Sequence, residues 1–443
     1  MTVSSSNFSR YINTETWEIG REIFSDPEIY RREQEQIFAR AWLYVGHESQ
    51  IREPGDFILS RMGEESVIVT RDKNSQIRVM LNSCRHRGMK VCRYDEGNTT
   101  KFYCPYHAWT YDLEGKLVNV QLYDELYKPP FDKSQWGLVQ VAKIATLGGT
   151  IWATWDPDAP DFDTYIGEAR HALELTFRPT DGGNGEIEML GGIQKWQINS
   201  NWKMVAENGA GDTLHGPSHA SVDMAGIAPS AERDGRKDWL GDLHSAAYPG
   251  GHAFLYNKWP MDKERVDYRR EPIVAEWFKE KWRLRVERMG KSAGIWTRLG
   301  GVFPNMSFHA QQPRTVIVAH PAGPQKTEAW RVYFVDRDAP PEVKAWLRRY
   351  YLSYSGPGGM TEQDDMENWQ YATKSTTGVV AQRYPFHYTS GLGMGGPDSE
   401  IPGLVRAGRG SEQNARAVLV RWAELMDAPS WGDLLSKRPQ ALV

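Results

Sequence analysis

The sequence predicts an α+β protein in which a small all-β module precedes a larger domain of mixed helices and strands. Three observations support this. Short β-type runs bounded by turn residues fill the region from 42 to 157, and helical and strand patterns alternate from 158 to 443. The length of 443 residues, at roughly 150 residues per domain, suggests two or three domains. The expected divisions are an N-terminal segment 1–41, a β-module 42–157 and a larger domain 158–443.

Residues 1–41 read as a helical segment packed on the larger domain, because Tyr30, Ile37, Phe38 and Trp42 can share one face. In the β-module the strand candidates are Ser66–Thr70, Ile77–Leu81, Lys101–Cys104 and Thr150–Thr154, bounded by turns such as Asp95–Asn98 and Leu113–Gly115. Beyond Pro157, helices are expected at 274–289 and at 341–354. In the second, Pro340 and Pro341 mark the start, and Val343, Trp346, Leu347, Tyr350, Tyr351 and Tyr354 recur at helical spacing. Thr315–Ala319 and Ala329–Val335 alternate like paired strands, and the Gly-rich stretch Thr389–Gly410 reads as a covering loop.

Charge and composition narrow the function. Lys+Arg 53 against Asp+Glu 57 gives a net charge of −4, which favours neither nucleic acid nor an anionic membrane. No apolar run approaches the roughly 20 residues that span a bilayer, and the first twenty residues lack the apolar core of a signal peptide. The expected compartment is the cytoplasm. Three cysteines among eleven histidines exclude a disulfide framework and point to metal binding, catalysis or burial.

Two of those cysteines stand in Cys84-Arg-His86 and, seventeen residues on, Cys104-Pro-Tyr-His107. Each half offers one thiolate and one imidazole. That set suits a [2Fe–2S] centre with two cysteines on one iron and two histidines on the other. A Cys₂His₂ zinc site is the chemical alternative, although its usual spacing differs. The flanking sequence, Asn82-Ser-Cys-Arg-His-Arg-Gly88 and Tyr103-Cys-Pro-Tyr-His-Ala-Trp-Thr-Tyr111, resembles the Rieske module of ring-hydroxylating dioxygenase large subunits. Most members of that family have Gly where Ala108 stands here. Cys92 matches no ligand position and reads as a small buried side chain.

A second cluster lies in Glu207-Asn-Gly-Ala-Gly-Asp-Thr-Leu-His-Gly-Pro-Ser-His219, where Asn208, Asp212, His215 and His219 recur at intervals of four, three and four. On a helix these share one face. Two histidines and a carboxylate on one side of Fe(II) leave the other side open, as in non-haem oxygenases; a zinc hydrolase is the chemical alternative. Gly209, Gly211, Gly216 and Pro217 weaken such a helix, so a bend or break is expected near Gly216.

The resemblance supplies what spacing leaves open. It continues through Tyr354-Ser-Gly-Pro-Gly-Gly-Met-Thr-Glu-Gln-Asp-Asp-Met-Glu-Asn368 and implies Asp365 as the third iron ligand, with Asp364 as a neighbour. It implies a helix-grip-like catalytic domain, one Rieske [2Fe–2S] cluster and one mononuclear Fe(II) per subunit. Asp212 matches the acid that links the Rieske histidine of one subunit to an iron-ligand histidine of the next, and Asn208 a positioning residue beside the iron. The implied enzyme is the terminal oxygenase large subunit of a multicomponent system that converts an aromatic substrate and O₂ to a cis-dihydrodiol. Electrons would come from NAD(P)H through a reductase and a ferredoxin, and a small subunit would complete a hexamer of three pairs. A Rieske monooxygenase or a pure electron-transfer or redox-sensing protein are the alternatives. Gly356-Pro-Gly-Gly359 lacks the spacing of a dinucleotide fingerprint. Gly209, Gly216, Ser355 and Thr361, where relatives often carry larger side chains, suggest a roomy pocket. His47, His171, His244, His252, His309, His320 and His387 lack ligand spacing and read as structural, with His309 and His320 on strands that could line that pocket.

Overall fold

The computed structural model describes residues 7–227, 243–310, 312–408 and 410–436. The chain divides into two compact units, Phe38–Ala159 and the remainder of the described chain.

Phe38–Ala159 is built of three small antiparallel sheets. One has the strands Ile77–Leu81, Glu65–Arg71, Asp56–Met62 and Glu96–Asn98 side by side, the second Leu117–Asn119, Thr110–Asp112 and Lys101–Tyr103, and the third Lys143–Leu147, Thr150–Thr154 and Leu43–His47. Alternation fixes which residues enter the core. Phe57, Ile68, Met80 and Phe102 pack with Cys84, Cys92, Cys104, Trp109 and Tyr111. The two cysteine-bearing segments are thus anchored from below by apolar strands. Phe57 and Phe102 meet edge to face.

The larger unit centres on a nine-stranded antiparallel sheet. Its order is Ile187–Met189, Thr327–Asp336, Thr315–Pro321, Met306–His309, Ile295–Val302, Ala253–Lys258, Leu243–Ala247 and Leu404–Ala407, and Gln194–Ile198 also pairs with Thr327–Asp336. Side chains alternate between the two faces. On one face Phe254, Phe308 and Phe334 belong to an aromatic cluster that includes Phe177. The other face receives helix Trp202–Gly209 and helix Met360–Ser375, since a Cβ on Gly209 would lie 2.2 Å from Ser307 Oγ and Glu362 pairs with Arg331. Helix Gln413–Asp427 joins them there, Asn414 donating to the carbonyls of Ala210 and Phe254. Helices Pro272–Met289 and Pro341–Tyr354 form where periodicity places them.

Three expectations need correction. Among its described residues the N-terminal segment is not one helix: Ile12–Asn13 and Glu18–Ile19 pair as a hairpin, and the helical stretch through Tyr30, Ile37 and Phe38 is confined to helix Pro27–Glu33 and the π-turn Gln34–Phe38 that continues it. The reason is local, because Asn13 Oδ1 accepts from the amides of Glu15 and Thr16 and so closes a turn. The helix through the second cluster ends at Gly209, well before Gly216, and the chain resumes as a 3₁₀ turn, Gly216–His219. Gly211 takes φ +122°, open to glycine, and its missing side chain admits Leu255 and Asn414. Within Thr389–Gly410, residues Leu404–Ala407 form an edge strand of the large sheet; residue 409 lies outside the described residues. Among the described residues no helix is long and apolar enough to cross a membrane.

Candidate metal centres

In the β-unit two loops are built alike. The amide of Gly88 donates to the Cys84 carbonyl and that of Ala108 to the Cys104 carbonyl, while Cys84 N bonds Met89 O and Cys104 N bonds Trp109 O. Each loop turns through a positive φ at its fifth residue, +72° at Gly88 and +60° at Ala108. Glycine adopts this conformation without strain, so Ala108 carries a cost of about 1 kcal/mol that the family's usual residue avoids. The result is two matched hooks. Both sulfurs are buried, whereas His86 and His107 are partly exposed with ring centroids 4.4 Å apart. Trp109 stacks on His86 at 5.0 Å, and the Tyr111 hydroxyl lies 3.2 Å from Cys84 Sγ. Burial, backed by the nearby Cys84 thiol, pushes the Cys104 thiol up. Two thiols inside and two imidazoles at the rim form a donor set suited to a [2Fe–2S] centre with unlike irons. Cys92 is buried elsewhere in the same core, its thiol directed at the Tyr94 carbonyl.

In the larger unit His215, His219 and Asp365 come together from two segments about 150 positions apart, with one donor atom of each within 4.8 Å of the others. His215 Nε2 and His219 Nε2 are 3.1 Å apart, and Asp365 Oδ1 lies 3.5 and 3.3 Å from them. That Asp365 oxygen is buried without a hydrogen-bond partner. Burial pushes the Asp365 carboxyl up to about 7, against the pull of His215. A buried oxygen without a hydrogen-bond partner, 3.3–3.5 Å from two imidazole nitrogens, completes a donor set that a cation would satisfy. The donors present therefore fit an iron ion held on one side.

The remaining residues of the second cluster divide. Asp212 Oδ2 lies 3.4 Å from His215 Nδ1, and Asp212 Oδ1 accepts from the Leu214 amide. Asn208 sits at the helix end, where its carbonyl accepts the amides of Gly211 and Asp212. Gly209 does not enlarge a pocket: it lets the helix meet the sheet at Ser307. Ser355 is buried against the Tyr333 hydroxyl and Thr361 bonds the Tyr354 carbonyl, whereas Gly216 borders open space. Sequence spacing missed Asp364, which accepts from Ser221 Oγ at 2.8 Å and lies 3.3 Å from His219 Nδ1. It also underweighted His309. Burial pushes its pKa down to about 3, and the charges of Arg331, Arg298, His219 and His215 act in the same direction. The signal was its strand position, shared with His320, which instead packs edge-on against Trp330.

The two sites define an iron-dependent oxygenase class, with a cluster to deliver electrons and an open metal position. The Rieske [2Fe-2S] domain family matches residues 41–130, and the catalytic domain of the ring hydroxylating alpha subunit matches residues 162–391. Biphenyl 2,3-dioxygenase subunit alpha of Rhodococcus jostii (strain RHA1) is 36% identical over 98% of this chain and 95% of the relative. Benzene 1,2-dioxygenase subunit alpha of Pseudomonas putida is 35% identical over 98% and 96%. The crystal structure of naphthalene 1,2-dioxygenase from Rhodococcus sp. bound to indole aligns with a TM-score of 0.83 and 31% identity, covering 97% of this chain and 99% of that one. The chain belongs to the alpha subunits of Rieske-type ring-hydroxylating dioxygenases.

Proposed function

We propose that this chain is the terminal-oxygenase large subunit that adds both atoms of O₂ across adjacent carbons of an aromatic hydrocarbon to give a cis-dihydrodiol. The observation that carries this reading is the convergence of His215, His219 and the unsatisfied Asp365 oxygen in a chain that also bears the two cysteine–histidine hooks. In this reading those three residues hold Fe(II), and Cys84, His86, Cys104 and His107 hold the [2Fe–2S] cluster. When bound, the iron supplies oxygen activation and the cluster supplies electrons singly.

The residues around the metals have definite tasks. Asp212, 3.4 Å from His215 Nδ1, is the acceptor that would draw hydrogen to Nδ1 and leave Nε2 free to coordinate. Hydrogen bonding to His215 and to the amides of Leu214 and His215 holds Asp212 below the usual carboxylate range despite burial. The same acid would receive a Rieske histidine from a neighbouring subunit, and Asn208 would position groups beside the iron. His309 is held neutral by burial. The relatives are named for biphenyl and benzene, which supports an aromatic hydrocarbon as the substrate class.

Relatives are named as the alpha subunit or the large oxygenase component of their enzymes, which supports a multicomponent enzyme here. The finer reading is a hexamer of three large and three small subunits in the cytoplasm, fed from NAD(P)H by a reductase with or without a ferredoxin. The balance is one arene, one O₂, two electrons and two protons per cis-diol. Turnover of the reconstituted system under ¹⁸O₂ tests this, with two labelled oxygens expected in each product. One label would make the chain a monooxygenase, and two irons per chain without oxygen uptake would make it an electron carrier.

A further inference from the structure

We infer that Asp364, seated by Ser221, is the positioning residue that fixes the ring of His219 for metal binding, so that the paired acids Asp364 and Asp365 have separate duties. This rests on the metal-site reading above and extends it to a residue that contributes no donor to the ion.

The chain around His219 cannot hold its own geometry. Gly216–His219 is a single 3₁₀ turn, with Gly216 and Pro217 at its start and open space around Gly216, and it runs into the short helix Ala220–Ala225. Helix Met360–Ser375, in contrast, is long and regular, and it holds both that turn and the short helix after it. Asn368 Nδ2 donates to Ser218 Oγ at 2.9 Å, and one turn earlier Asp364 Oδ2 accepts from Ser221 Oγ at 2.8 Å. The same Oδ2 lies 3.3 Å from His219 Nδ1, while Asp365 Oδ1 lies 3.3 Å from His219 Nε2. Consecutive helical residues point about 100° apart, so adjacent acids reach the two edges of one imidazole.

Chemistry then assigns the proton. The Asp364 oxygen already accepts from Ser221, so it meets the ring as an acceptor, which places hydrogen on Nδ1 and leaves Nε2 facing His215 Nε2 and Asp365 Oδ1. Ser221 holds the carboxylate by donating to the oxygen that faces the ring. His215 has the corresponding arrangement with Asp212 at 3.4 Å. Each imidazole therefore has its own carboxylate behind it, from a different element.

The test uses the full chain as purified, stripped of mononuclear metal and titrated anaerobically with Fe(II), with the Rieske electron paramagnetic resonance signal as an internal control of folding. For Asp364→Ala the Fe(II) dissociation constant should rise about 10–100-fold, the usual cost of losing such a partner, and the signal of the nitric oxide adduct should change or broaden. Asp364→Asn, which keeps an acceptor oxygen, should recover part of the affinity. Ser221→Ala, which leaves the carboxylate but frees it, should shift affinity in the same direction by a few-fold and serves if the Asp364 variants do not fold. Wild-type affinity and an unchanged adduct signal in Asp364→Ala, or in Ser221→Ala if only that variant folds, would overturn the inference. Asp365→Ala separates the two readings: it should abolish mononuclear iron binding, and full binding there would overturn the metal-site assignment itself.

Discussion

His252 is held neutral by its two partners. Its Nε2 donates to the Tyr165 carbonyl at 3.0 Å and its Nδ1 accepts from the Phe303 amide at 3.2 Å. Burial lowers its pKa to about 4; the bond to Tyr165 opposes this and the charge of Arg421 adds to it. An unfolded histidine titrates near 6.5, so between about pH 6.5 and 4 the unfolded chain binds a proton that the folded chain refuses. The stabilisation is complete above 6.5 and is lost as pH falls through 4, by about 3 kcal/mol in total. Glutamine offers one donor and one acceptor without a titration. In His252→Gln, urea melts from pH 7 to 4 should therefore lose less stability than the parent by about that amount, and parallel losses in both proteins would refute the assignment. Nothing in the spacing of His252 announced this role, because its partners are backbone groups 87 and 51 positions away.

At the scale of elements, one buried carboxylate joins three helices. Glu33, which ends Pro27–Glu33, accepts from the indoles of Trp202 at 2.8 Å and Trp422 at 2.7 Å and pairs with Lys203. All four side chains are almost wholly excluded from solvent. Removing the acid leaves a buried ammonium without its counter-charge, so Glu33→Ala should cost about 3–5 kcal/mol in chemical denaturation. Adding Lys203→Met should restore much of that, whereas additive losses would show that the pair itself contributes little. Elements of this unit were legible in proportion to how local their causes are. Pro341–Tyr354 announces itself by a proline start and a 3.6-residue apolar stripe. The early end of Trp202–Gly209 did not, because it depends on Gly209 touching Ser307 and Gly211 admitting Leu255 from strands that are distant in sequence. The cysteine–histidine hooks were legible because each is closed by hydrogen bonds within six residues. Asp364 was visible only as the twin of Asp365, since its partners lie 143 and 145 positions earlier.

For the whole molecule the limiting question is how electrons enter. Dihydroxylation consumes two electrons, which NAD(P)H releases together as hydride, whereas an iron–sulfur cluster accepts them singly. A protein that bridges the two needs a nucleotide site, and dinucleotide sites of the common kind set a Gly-rich turn between a strand and a helix. Here the run Gly356-Pro-Gly-Gly359 joins helix Pro341–Tyr354 to helix Met360–Ser375 rather than a strand to a helix, and Gly359 caps the second. A side chain at Gly359 would collide with the Ser355 backbone at 2.4 Å, so this turn is built for its own close packing. That packing also sets the start of the helix that bears Asp364 and Asp365. The chain should therefore be unable to oxidise NADH alone. Mixed anaerobically with NADH, the cluster-loaded protein should keep its oxidised visible spectrum, and it should bleach with dithionite or once a flavin reductase, with a ferredoxin where one is needed, is added. Bleaching by NADH alone would require a nucleotide site within the chain and would remove the argument for a separate reductase.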